Sequence, residues 1–204
     1  MIKIALILAV LGHILCGVSD CLLGYSPKGR LDLKSVKDPE KMFAAFEGMP
    51  LAFPLASILL GVLAITMFGF GYLELSSWVG AYSGTAGMIM LVSSMIYLIP
   101  IAAHHVLFAV AEWVYIRLDR TPAAREAVLE LQKKTIAPML AGYAGLLAFV
   151  VTLFIMIVSG GTPLPAWSCI FNTLIIMILL LPTKLPAKGN IAGAVMFLGL
   201  LFVM

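Results

Sequence analysis

Apolar runs of about 20 residues recur along this chain, and no other feature restricts its fold so strongly. Twenty residues of helix rise about 30 Å, the thickness of a bilayer's hydrocarbon core. In that solvent every backbone N–H and C=O must be paired within the protein, so such runs fold as helices. Composition agrees: 62% of the residues are hydrophobic and 11% are charged, less than half the roughly 25% charge of a soluble domain. The expected fold class is all-α, a polytopic integral membrane protein with a single transmembrane helical domain over residues 1–204.

Runs bounded by charge, Pro and Gly give about six expected transmembrane helices, at residues 4–24, 51–73, 79–102, 136–158, 165–181 and 191–204, the last short for a full crossing. Basic residues alternate between the connections. The first holds Lys28, Arg30, Lys34, Lys37 and Lys41, the third Arg117, Arg120, Arg125, Lys133 and Lys134, and the fifth Lys184 and Lys188. The second and fourth hold none. Under the positive-inside rule this places the protein in a cell membrane with both termini extracytoplasmic. No run of five or six basic residues suggests a nucleic-acid partner, so the expected partner is the lipid bilayer. Cys16, Cys21 and Cys169 are odd in number, lie in apolar segments and form no CxxC pair, which excludes a disulfide framework or zinc ribbon. Residues 1–25 imitate a secretory signal, but His13 and Asp20 interrupt the apolar stretch.

The third span strains a simple crossing. Residues 79–117 as one helix would run about 58 Å, nearly twice the hydrocarbon core. Pro100 offers a kink, and a long bent third helix projecting into the cytoplasm is the expected form. Short cytoplasmic helices are expected as well. Thr121-Pro122 reads as an N-cap with Pro at the first helical position, opening a surface helix to Lys134 in which Glu126, Glu130 and Lys134 fall one turn apart. Ser26-Pro27-Lys28-Gly29 reads as a turn, and Asp38-Pro39 starts a helical turn to Phe46 whose Met42, Phe43 and Phe46 would lie on the membrane. Gly80 and Gly84 form a GxxxG pattern, expected to be a packing face, and small-residue faces of this kind are compatible with an oligomer.

A charge at mid-bilayer costs roughly 2.5–3.5 kcal/mol on insertion scales, so the polar groups inside the spans carry the functional reading. His13, Gly17, Asp20 and Gly24 share one stripe of the first span, with Cys16 at its border. Beyond Pro100, His104, His105, Glu112 and Tyr115 project into one sector, which picks up Ser94 and Tyr97 when extended back across the proline. These groups suit general acid–base chemistry, and imidazole with carboxylate also suits a divalent metal such as zinc or iron. Adjacent histidines diverge by about 100° on a helix, however, and no HxxxH spacing is present. No P-loop, GxGxxG or GxSxG occurs.

The expected catalytic set is therefore His105, Glu112, His104, Asp20 and His13, lining one cavity that holds a lipid-like or apolar substrate. A cluster of this composition is similar to those of membrane isomerases and hydrolases acting on lipids, but their motifs are absent and no residue role carries over. Two alternatives stand beside it: a small proton- or ion-coupled transporter, and a non-catalytic assembly protein. The segment from residue 136 onward has no acidic residue or histidine, which disfavours transport.

Overall fold

The computed structural model describes residues 1–30 and 38–204. In chain order it has α1 (Ile2–Gly24), a hairpin of β1 (Tyr25–Ser26) and β2 (Gly29–Arg30), and then α2 (Pro39–Phe46), α3 (Ala52–Gly80) and α4 (Gly84–Arg117). After these come α5 (Pro122–Lys134), α6 (Ala137–Val158), a 3-10 segment (Ala166–Phe171), α7 (Thr173–Leu180) and α8 (Lys188–Val203). Lys34 and Lys37 of the first connection lie outside the described residues. Among the described residues, four stretches are long and apolar enough to cross a membrane: Ile2–Gly24, Ala52–Gly80, Gly84–Arg117 and Pro122–Val158, the apolar part of the last being α6. The protein is thus an all-α bundle embedded in a membrane.

The fifth expected span is broken in two, and the sixth is short for a full crossing, as its sequence suggests. Asn172 divides residues 165–181 into the 3-10 segment and α7, capping α7 through the Leu174 amide and donating its own amide to the Val150 carbonyl at 2.7 Å. A side chain that caps one half-helix while bonding a neighbour holds the break open. At 16 residues, α8 rises about 24 Å, less than a full core.

The third span is one bent helix of 34 residues with Pro100 inside it. The proline ring removes a backbone bond and crowds the carbonyl of Ile96, which bends the helix there. The preceding helix α3 runs past the expected boundary to Gly80, so the second connection is the tight turn 81–83. Gly80 and Gly84 consequently belong to different helices, because Ser83 caps α4 through the Ala86 amide between them. The close approach is between Gly80 and Gly87, where a Cβ on Gly87 would overlap the Gly80 backbone.

Within the bundle α3 packs between α1 and α4, α4 also packs on α6, and α8 packs on α1 and α7. The 3-10 segment touches α6 and α8 and closes the ring. At the centre, Tyr72 of α3 meets Tyr97, Phe149, Phe197 and Phe68 with centroids 4.9 to 6.0 Å apart, all edge-on. That geometry is the one aromatic quadrupoles favour.

The basic connections gather at one end. Arg30 of the hairpin donates to the Lys184 carbonyl at 2.9 Å, and Arg120 donates through Nε to the Phe46 carbonyl at 3.1 Å. Here α2, capped by Asp38, and α5, capped by Thr121, cover the end of α4. The face of α2 differs from expectation: Met42 and Phe46 are buried against Tyr115, Ala124 and Val128, and Phe43 alone of the three is exposed. Protein supplies most of the apolar cover that a membrane surface was expected to supply.

Candidate functional site

The polar stripe of α1 turns toward α8, as burial of ionisable groups requires. At Gly17 a Cβ would rest 3.7 Å from that of Asn190 and 3.8 Å from that of Ala187, while Gly24 meets nothing. Above this contact His13 stacks on Phe68 with centroids 4.3 Å apart and planes 5° from parallel, and Phe197 lies 5.7 Å from it. The ring fits only because residue 193 is glycine, where a Cβ would overlap the imidazole. Asn190 then joins two α1 groups. Its Nδ2 donates to Asp20 Oδ2 at 2.8 Å, which directs its Oδ1 toward His13 Nδ1 at 3.0 Å. A carbonyl oxygen accepts only, so His13 Nδ1 carries the proton. His13 Nε2 is buried and has no hydrogen-bond partner among the described residues.

On its other side Asp20 faces α4. Its Oδ1 stands 3.7 Å from His105 Nδ1, an ion-pair distance too long for a hydrogen bond. His105 occupies a recess left by Gly61 of α3, where a Cβ would overlap Nε2. That Nε2 lies 3.1 Å from the Ser57 carbonyl, 3.1 Å from Ser19 Oγ and 3.3 Å from Ser57 Oγ. The two serines stitch α1 to α3 reciprocally: Ser19 Oγ donates to the Ser57 carbonyl at 2.8 Å and Ser57 Oγ to the Ser19 carbonyl at 3.0 Å.

Counting protons decides what this arrangement can do. Both hydroxyl hydrogens have carbonyl acceptors, and a bare Nε2 at 3.1 Å from the Ser57 carbonyl oxygen would set two lone pairs against each other. Nε2 therefore carries a hydrogen. Residue types alone suggest a Ser-His-Asp triad, but a protonated Nε2 cannot take a serine proton, which the first step of acyl transfer requires. The atoms with a proton to exchange are on the other edge of the ring, His105 Nδ1 and Asp20. A proton placed on one of them gives a neutral pair when Asp20 holds it and an ion pair when His105 does. The Asp20 side chain is 37% exposed and opens this pair to the outside at the basic end of the bundle.

The expected site residues thus separate into three groups. His13, Asp20 and His105 join one network across α1, α8 and α4. Glu112, two turns beyond His105, is 1% exposed and lines a different, small pocket with Phe108 and Tyr115. His104 joins neither; it is half-buried and lies 6.0 Å from the Phe108 ring. The expected common cavity is not formed by these residues, because α2 and α5 close over Glu112 separately. Ser94 and Tyr97 lie before the kink, the first bonded to the Met90 carbonyl and the second in the aromatic centre. Among the described residues no three His, Cys, Asp or Glu side chains are grouped as a metal would require.

Three members of the network were missed in the sequence. Ser19 is Asp20's neighbour, and Ser57 stands one turn before Gly61, a small-residue pair at helical spacing inside an apolar run. Asn190 follows Lys188 and Gly189 and reads as part of a connection, although it sits in the first turn of α8.

Residues 1–204 match the family DUF6796, described as a family of unknown function, and the chain belongs to that family. No curated protein and no solved structure matches it.

Proposed function

We propose that this membrane protein handles a lipid-like, amphipathic substrate by proton exchange at the Asp20–His105 pair, facing the cytoplasmic leaflet. One observation carries the reading: His105 is held on its Nε2 edge by Ser19 and Ser57, leaving Nδ1 to Asp20, which is the exposed member. A fixed ring with one free edge is what a general acid–base group needs. Proton transfer within the pair requires the atoms to close by about 0.8 Å, from 3.7 Å to ordinary hydrogen-bond length. Acid–base chemistry is preferred to metal assistance because the described residues lack a grouped ligand set. His104 and Glu112 are not members of this pair.

The test is lipid mass spectrometry of membranes from cells producing the wild type, Asp20→Asn, His105→Gln or His104→Ala at matched levels. The expected result is a lipid species whose abundance responds to the wild type and to His104→Ala but to neither dyad variant. Identical lipid profiles in all four would remove the proposal.

A second reading, proton- or ion-coupled transport, is favoured by the continuation of the network from Asp20 through Asn190 to His13. It predicts pH-gradient-driven flux into proteoliposomes that Asn190→Leu abolishes; absence of flux in the wild type would count against it.

A further inference from the structure

Glu112 is an acidic side chain buried inside the bundle. It is 1% exposed, and neither carboxylate oxygen has a hydrogen-bond donor among the described residues. It lines a pocket of about 10 Å³ together with Phe46, Phe108, Tyr115, Met42 and Gln132. That volume admits a group the size of one water. A buried acceptor with no donor is costly, so the pocket is suited to something that donates.

Its walls specify the donor further. Phe46 and Tyr115 meet edge-on at 5.4 Å, and with Phe108 they line the space with aromatic rings, whose faces attract cations. Arg120 is anchored on the carbonyls of Met49 and of Phe46, itself a wall of the pocket. An acidic carboxyl with a guanidinium beside its wall complements a zwitterion. A primary ammonium matches water in size, whereas three methyl groups on nitrogen do not fit.

From this geometry we infer that the Glu112 pocket binds the primary ammonium of an amine-bearing amphiphile, with Arg120 beside the pocket wall to meet the adjoining phosphate. The site is separate from the Asp20–His105 pair and stands whether or not that pair exchanges protons. Binding therefore tests it without any turnover assay.

The experiment is native mass spectrometry of the full chain in detergent, titrated with short-chain phosphatidylethanolamine, with phosphatidylcholine of the same acyl chains, and with free ethanolamine. Phosphatidylethanolamine is expected to bind at least roughly tenfold more tightly than phosphatidylcholine, as one charge-assisted hydrogen bond implies. Glu112→Gln should erase that preference, and Gln132→Leu, which keeps the carboxylate, should reduce it. Unfolding temperatures of both variants verify folding, and the second keeps the test valid if the first does not fold. Competition by free ethanolamine at equal affinity assigns the site to a soluble amine, and lack of competition assigns it to a lipid headgroup. Equal binding of the two lipids, or a preference that survives in the folded variants, would overturn the inference and leave the pocket to a water.

Discussion

Replacing Asn190 by Leu removes the link between His13 and Asp20 while keeping the same number and branching of side-chain heavy atoms, so no cavity confounds the result. Two hydrogen bonds are lost, at 3.0 Å to His13 and 2.8 Å to Asp20. Interhelical hydrogen bonds in membrane proteins average about 0.6 kcal/mol and reach about 1.7. The two sites respond differently. Asp20 is partly exposed and exchanges its lost donor for water, whereas His13 is buried and its Nδ1–H is left without an acceptor, at a cost of about 1–3 kcal/mol. The expected destabilisation is about 2–3 kcal/mol. It is measured by equilibrium unfolding in mixed micelles as the fraction of denaturing detergent rises. Thr66→Val is the control, since the Thr66 hydroxyl only returns to the Val62 carbonyl of its own helix. An Asn190→Leu variant within about 0.5 kcal/mol of the wild type, the range of neutral surface changes, would refute the reasoning.

Gly61→Ala places a methyl where the His105 ring stands, so overpacking of about 1–3 kcal/mol is expected and the ring must leave Ser19 and Ser57. Gly69→Ala meets Leu98 at 3.4 Å and should be tolerated; similar unfolding temperatures for the two variants would contradict the assigned packing. At the basic end, Asp38 caps α2, and its hydrogen bond with Lys41 lowers its carboxyl from the ordinary value. A lowered folded pKa means the cap is complete above the ordinary Asp range of about 4 and is lost as pH falls through the lower folded value. Protection factors of the α2 amides, with the intrinsic pH dependence of exchange removed, should therefore fall on acidification, and Asp38→Ala should show the lower protection already at neutral pH; unchanged protection in both would contradict the cap.

What the sequence made legible follows from how local each signal is. The caps at Asp38 and Thr121, the turn at Pro27-Lys28, and the bent helix through Pro100 are read from neighbouring residues, and all are present. The orientation of the α1 stripe toward protein is also local, since lipid rejects His13 and Asp20 alike. Partners are a different matter. His105 and Glu112 share a helical face but not a site, because α1 and α3 cover one and α2 and α5 the other. Ser57 and Asn190 are polar groups of modest hydropathy whose roles arise from residues 38 to 177 positions away. The 74–78 boundary failed because Glu74 and Ser76 looked like a connection, yet Ser76 returns its hydroxyl to the Tyr72 carbonyl and stays inside α3.

The proposed chemistry rests on His105 exchanging its proton through Nδ1, toward Asp20, while Nε2 stays protonated between the serines. Nitrogen-15 NMR of histidine-labelled protein in bilayers, with His105 assigned by comparison with His105→Gln, reads the two ring nitrogens separately. The expected result is a protonated Nε2 between the serines and an Nδ1 signal that moves in Asp20→Asn. A bare Nε2 facing Ser19 and Ser57, with the proton fixed on Nδ1, would contradict it and make the serines the reactive groups.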